Sequence, residues 1–169
     1  MGLLRILLLP FALLYGFIIW VRNLLFDIGL LPSRQFPIPV ISVGNLRTGG
    51  TGKTPHVEYL VRILRDKYNI AVLSRGYKRK SKGFVIADQE TSWKEIGDEP
   101  SQIFHKFPDI LVAVHEKRSK GIKMILKNHP HINLIILDDA YQHRYVKPGL
   151  NLLLTGYYNP FFDDFLLPV

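Results

Sequence analysis

The stretch that most constrains this chain is Pro39–Thr54, PVISVGNLRTGGTGKT. Val40-Ile41-Ser42-Val43 is a β-branched apolar run and reads as a buried strand. A glycine-rich turn follows, closed by Gly52-Lys53-Thr54. Val57, Leu60, Val61 and Leu64 then recur at helical spacing. Strand, glycine loop, Gly-Lys-Thr and helix is the order that a phosphate-binding loop requires. The unpaired N–H groups and positive end of a helix N-terminus attract an anion. Gly49, Gly50 and Gly52 let the backbone close on a phosphate with no Cβ in the way. Lys53 is placed to reach the β- and γ-phosphates, and the Thr54 hydroxyl to ligate Mg²⁺. The strict pattern wants glycine five residues before Gly52, where this chain has Arg47. The bland alternative is a chance Gly-Lys-Thr in a strand–helix turn, and the flanking strand and helix patterns weigh against it.

At 169 residues the chain has the size of one domain, and 47% hydrophobic content is enough for a core. The absence of cysteine excludes a disulfide-stapled domain and a thiolate zinc site. With 22 basic and 14 acidic residues the net charge is +8, which suits phosphates, anionic lipid headgroups or nucleic acid. No zinc-finger spacing, aromatic RNA-binding signature or long basic helix is found, so no nucleic-acid partner is expected. No obligate protein partner is evident either.

Residues 3–31 form a hydrophobic N-terminal segment. Its uncharged run, Ile6–Val21, is 16 residues long. That is slightly short of the roughly 18–20 residues of a spanning helix. Pro10 lies inside it, and Arg5, Tyr15, Trp20 and Arg22 are candidate interface anchors. No small-residue cleavage site follows, which argues against a signal peptide. Three readings remain: an interfacial or shallowly inserted membrane helix, a true span, or a helix buried against the domain. The first is the expectation. The chain then divides into a membrane-associated helix, 1–33, and a nucleotide-binding domain, 34–169.

Beyond the phosphate loop, Ile70–Leu73 is a second apolar run, so a strand–helix–strand unit with parallel strands is expected. It ends at Ser74-Arg75-Gly76-Tyr77, followed by the basic loop Lys78–Gly83. Ligands sit at strand C-termini in open α/β sheets, which singles out Arg75, while the basic loop reads as a solvated surface. Phe84–Ala87 is a short strand or hairpin arm. A helix is expected from Gly97-Asp98-Glu99-Pro100 to about Phe107, with Asp98 as N-cap. Asp98 is also a candidate carboxylate held near a substrate. Ile110–Val114 is a strand, and His115-Glu116-Lys117-Arg118 opens a helix to about Lys127. Leu134–Leu137 is a strand that lifts Asp138-Asp139 to the phosphate-loop edge, as a Walker-B carboxylate is lifted to a metal. Leu150–Leu154 is the last strand, and an aromatic tail follows. The fold class is therefore α/β, a P-loop NTPase-like, mostly parallel sheet flanked by helices.

Taken in order, these segments resemble the N-terminal half of the tetraacyldisaccharide 4'-kinase (lipid A 4'-kinase) family. The residues that carry the likeness are Val43-Gly44-Asn45-Leu46 and Gly49-Gly50-Thr51-Gly52-Lys53-Thr54-Pro55. Ser74-Arg75-Gly76-Tyr77, Gly97-Asp98-Glu99-Pro100, the Arg118 region and Asp138-Asp139-Ala140-Tyr141-Gln142-His143 complete the set. The resemblance implies transfer of the ATP γ-phosphate to the 4'-hydroxyl of an anionic glycolipid, a tetraacyldisaccharide 1-phosphate. The work would be done at the cytoplasmic face of the bacterial inner membrane. It implies a nucleotide site of Asn45, Gly49, Gly50, Thr51, Gly52, Lys53 and Thr54. It implies Asp98 as base, with Lys53 on the transferred phosphate. Thr54, Asp138, Asp139 and Glu99 would serve Mg²⁺, and Arg75, Arg118, Gln142 and His143 the glycolipid. Arg47 at the missing glycine is normal for the family. Ala140-Tyr141 departs from its common Gly-Phe, and Lys78 stands where glycine often follows Arg-Gly-Tyr. Family members are also roughly twice as long, with a second lobe that closes over the site and supplies a histidine to the catalytic Asp. Two rivals are kept: a membrane-recruited ATPase switch, and a nucleotide-binding fragment without turnover.

Overall fold

A computed structural model describes residues 2–46, 52–141 and 144–157, with side chains from residue 10 onward. Two compact units are present, Met1–Ser33 with Thr155–Val169, and Arg34–Leu154. In the first, helix α1 spans Gly2–Asp27 with Pro10 inside it. Phe11, Leu13, Leu14, Phe17, Ile18 and Trp20 are each more than half exposed, and among its described side chains only Ala12 and Phe26 are buried. The window Pro10–Asp27 is long and apolar enough to cross a membrane, by length and composition.

The second unit is a six-stranded sheet flanked by helices. Its elements are β1 (Val40–Asn45), α2 (Lys53–Leu64), β2 (Ile70–Ser74), β3 (Val85–Ile86), α3 (Trp93–Ile96), α4 (Asp98–Lys106), β4 (Leu111–Val114), α5 (Arg118–Asn128), β5 (Leu134–Asp138) and β6 (Leu150–Leu154). The strand order is β3-β4-β2-β5-β1-β6, parallel throughout except for β3. Every residue of β2 and β5 is buried, as expected of strands covered on both faces.

Alternation along the strands builds two cores. Val43, Val72, Val112 and Ile136 face Val57 and Val61 of α2 and Ile103 of α4. Ala71, Leu73, Ala113, Ile135 and Leu137 face Ile122 and Ile125 of α5. The helices α2 and α4 are also joined by charge. Glu58, nearly buried on α2, accepts from Gln102 Nε2 at 2.8 Å and from Lys106 Nζ, both on α4. Burial raises the Glu58 carboxyl, but hydrogen bonds from Lys106 and Gln102 and the charges of Lys106 and Arg62 outweigh it, so its pKa lies below the usual value.

Several boundaries differ from expectation. The helix after the phosphate loop, expected from Lys53 to about Lys67, stops at Leu64. Helix α5 begins at Arg118 rather than His115, because His115 Nδ1 accepts the Lys117 amide and the N-cap Lys117 is extended. Asp98 is the first residue of α4, not its cap. Gly97 holds that position at φ 94°, a conformation that Asp adopts only at a cost. Helix α3 was not expected, although Ser92-Trp93-Lys94-Glu95 is a capping box with both reciprocal hydrogen bonds formed.

Glu58→Ala leaves Gln102 and Lys106 without their shared acceptor. It should lower unfolding free energy by about 1–3 kcal/mol. Urea denaturation checks this: the midpoint falls while the slope is unchanged.

Candidate active site

Strand pairing decides what meets at the C-terminal edge of the sheet. Strands β1 and β5 are neighbours, with Val43 opposite Asp138. The chain leaving β1 toward the glycine loop therefore lies beside the acidic end of β5. The Ala140 amide donates to Val43 O at 3.2 Å, which folds the β5 exit back over β1. Gly44 makes this approach possible. A Cβ there would lie 2.6 Å from Tyr141 Cβ and 2.8 Å from its backbone nitrogen.

Lys53, the first residue of α2, points into this corner. Its Nζ donates to Asn45 Oδ1 at 2.9 Å and pairs with Asp139 Oδ1 at 3.2 Å. Thr54 follows it at the helix start, half-buried. Asp139 reaches Lys53 from a left-handed backbone at φ 51°, unusual for a residue other than glycine.

Asp138 is 1% exposed, and neither carboxylate oxygen has a hydrogen-bond partner among the described residues. Burial pushes its pKa up, aided by the charges of Glu99 and Asp139 and opposed by Arg118 and Lys53, and it reaches about 6. A buried, unpartnered carboxylate is costly unless something pairs with it. Among the described residues no three His, Cys, Asp or Glu side chains gather as a metal group. Mg²⁺ asks for less, since one or two carboxylates suffice when phosphates and water complete its shell. Asp138 at the phosphate-loop edge fits that requirement.

Arg118 lies behind Asp138 and is 2% exposed. It donates to the carbonyls of His115 at 3.0 Å, Asp138 at 2.8 Å and Asp139 at 3.4 Å. Burial lowers its guanidinium to about 10, against the charges of Asp138 and Asp139, so it stays protonated at neutral pH. Its described contacts are those of a positioning group that ties the start of α5 to the end of β5.

Asp98 and Glu99 open α4 at the same edge, Asp98 exposed and Glu99 half-buried. The loop after β2 packs onto Gly97, just before them. A Cβ on Gly97 would lie 3.0 Å from Tyr77 O and 3.3 Å from Gly76 Cα, so Gly76-Tyr77 is seated against Gly97. Arg75 is exposed there.

A family model described as tetraacyldisaccharide-1-P 4'-kinase, LpxK, matches residues 4–169. The chain belongs to this family. A tetraacyldisaccharide 4'-kinase of Flavobacterium johnsoniae is 56% identical over 168 residues, 99% of this chain and 49% of the relative. Its counterpart in Bacteroides thetaiotaomicron is 55% identical over 160 residues, 94% of this chain and 42% of the relative. A crystal structure of "apo" form LpxK from Aquifex aeolicus in complex with ATP matches with a TM-score of 0.86 and 44% identity, covering 98% of this chain and 53% of that one. The chain thus spans about half the length of the curated relatives it matches. The mostly parallel α/β architecture expected from the sequence agrees with this LpxK neighbour.

Of the residues singled out in the sequence, Asn45, Lys53 and Asp139 are in direct contact, and Asp138 lies within electrostatic reach of Lys53, Glu99, Asp139 and Arg118. Gly49, Gly50, Thr51, Gln142 and His143 lie outside the described residues, as does Arg47. Arg79 was passed over as part of a solvated basic loop. Its side chain is only 4% exposed, and its Nη2 donates to Glu116 Oε1 and to Gly83 O at 2.6 Å. Burial raises the Glu116 carboxyl, but hydrogen bonds from its own amide, Arg79 and Gly83, and the Arg79 charge, bring it down to about 2. No local sequence signal separates Arg79 from its lysine neighbours, because its partner lies 37 positions away.

The raised Asp138 pKa has a stability sign. A carboxylate whose folded pKa is raised adds stability below its unfolded pKa near 4, and that stability is lost as pH rises through about 6. Asp138→Asn should therefore unfold at higher temperature than wild type at pH near neutrality, by the equivalent of about 1–3 kcal/mol. The gap should close below the unfolded pKa. Thermal melts without nucleotide or metal, taken across this range, check it.

Proposed function

We propose that this chain carries the nucleotide-binding side of a kinase that moves the ATP γ-phosphate to the 4'-hydroxyl of a tetraacyldisaccharide 1-phosphate, late in lipid A biosynthesis. The observation that carries the proposal is the corner itself. In a chain of this family, a buried Asp138, unpartnered among the described residues, stands beside a lysine already turned inward by Asn45 and Asp139.

Phosphoryl transfer asks a protein mainly for positioning and charge. The helix N-terminus at Gly52-Lys53-Thr54 and the amides of the glycine loop, with Gly49, Gly50 and Thr51, would cradle the phosphates. Lys53 would exchange its contact with Asp139 for phosphate oxygens. Thr54 and Asp138 would hold Mg²⁺, with Asp139 and Glu99 beside them, and the ion would neutralise charge between the phosphates. Asp98, exposed at the first turn of α4, is free to accept the sugar hydroxyl proton as that oxygen bonds to the γ-phosphorus. The bond from phosphorus to the bridging oxygen then breaks, and ADP leaves. Arg75 would meet the glycolipid's anionic groups, together with Gln142 and His143. Arg118 would act through β5 by holding its terminal carbonyls. The exposed apolar side chains of α1 fit a peripheral or shallowly inserted helix at the cytoplasmic face of the inner membrane, where ATP and the lipid meet. On this reading residues 1–33 serve the membrane and 34–169 the nucleotide, and a second lobe would complete the site.

The test uses a form extended to the length of the relatives, with γ-³²P-ATP and a tetraacyldisaccharide 1-phosphate in detergent micelles. Asp98→Asn should lower kcat by roughly 10²–10⁴-fold with the KM for ATP little changed. A wild-type rate in that variant removes Asp98 as the base. ATP hydrolysis with no labelled lipid from the wild type would favour an ATPase switch instead.

A further inference from the structure

The loop that packs Gly76 and Tyr77 against Gly97 presents a second surface. Lys78, Lys80 and Lys82 are exposed along it, and Tyr77 is 70% exposed at its start. The loop is fastened to α3. The Lys80 amide donates to Lys94 O at 2.7 Å, and Ser81 Oγ donates to Glu95 O. Trp93 and Lys94 of α3 are thereby brought alongside, with Trp93 56% exposed. Lys78 Nζ lies 5.3 Å from the Tyr77 ring centre, and Lys94 Nζ 5.6 Å from the Trp93 ring centre.

The surface is built, not frayed. Arg79, the one buried cation of the loop, anchors it from beneath through Glu116 and Gly83. Two of the three nearby acids keep their charge but turn it into local hydrogen bonds. Asp88 accepts from the Glu90 amide and Thr91 in its own turn, and Glu95 accepts from the Ser92 amide in the capping box. Glu90 remains exposed. Across Arg75–Glu95 the exposed cations Arg75, Lys78, Lys80, Lys82 and Lys94 outnumber the three acids. Exposed Trp and Tyr interleaved with lysines is the composition of a bilayer interface. The rings lie at headgroup depth and the cations meet anionic lipid.

We infer that Tyr77, Lys78, Lys80, Lys82, Trp93 and Lys94 form a docking face for an anionic lipid bilayer, distinct in residues from the apolar helix α1. It would settle the Asp98 edge against the headgroups among which a glycolipid acceptor lies. The face deepens the kinase reading and rests on it for its purpose. Its test reads no catalysis, so either can fail alone.

The chain has two tryptophans, Trp20 in α1 and Trp93. Trp20→Phe therefore makes Trp93 emission a local probe within the whole chain. Vesicles of phosphatidylcholine mixed with phosphatidylglycerol should shift Trp93 emission to the blue and shield it from aqueous acrylamide. Phosphatidylcholine alone should do so weakly, and high salt should reverse the effect. Replacing Lys78, Lys80, Lys82 and Lys94 with Gln should abolish it, since each lysine contributes roughly fivefold to partitioning at an anionic surface. All four side chains are exposed, and circular dichroism confirms that the variant is folded. The inference is overturned by unchanged Trp93 emission, by an equal shift with neutral vesicles, or by a full shift in the lysine variant. A shift produced by a single-stranded oligonucleotide and not by vesicles would overturn it too.

Discussion

The pairing of β1 with β5 is the contact on which the site depends. One register, Val43 against Asp138, brings the exit of the glycine-loop strand to the exit of the acidic strand. A slip by one residue would turn Asp138 to the opposite face of the sheet. The register is enforced from both sides. Alternate residues of β5 are buried in different cores, and the Ala140 amide locks the turn onto Val43. Neither Lys53 nor Asp138 could find the other by local structure, since 85 positions of chain separate them.

The corner that results is held under electrostatic tension. Asp138 is buried with both oxygens unpartnered among the described residues, and its neighbours Glu99 and Asp139 add negative charge. Arg118 and Lys53 offset that charge without bonding to the Asp138 carboxylate. Arg118 instead holds the backbone carbonyls of the acidic pair, which leaves the carboxylate available. The left-handed Asp139 is kept in reach of Lys53 by the same grip. Such an arrangement is poor as structure and useful as a site, because a cation and polyphosphate would resolve the unpaired charge.

Much of this was legible in the sequence, for identifiable reasons. The strands β1, β2, β4, β5 and the edge strand β6 are short runs dominated by apolar residues, so they are visible to within a residue or two. The strand–loop–Lys53 order and the Asp138-Asp139 pair carry their chemistry in adjacent residues. Features that depend on distant partners were not legible. Arg79 looks like its lysine neighbours until Glu116 arrives from the β4 exit. Arg118, expected at the glycolipid, is instead buried among carbonyls once the sheet forms. The cap of α4 fell to Gly97 because Gly76-Tyr77 packs against it, a contact that no local capping rule contains. Helix α3 is a different case, since its capping box stood in the sequence.

We propose that Asp138 and the phosphate-loop lysine form one site for a metal–nucleotide pair. The most direct measurement is calorimetric titration of ATP, with and without Mg²⁺, into the wild-type chain and into Asp138→Asn. Mg²⁺ should tighten ATP binding to the wild type and this increment should disappear in the variant, while metal-free ATP binds the variant at least as well as the wild type. An increment that survives intact in Asp138→Asn would contradict it.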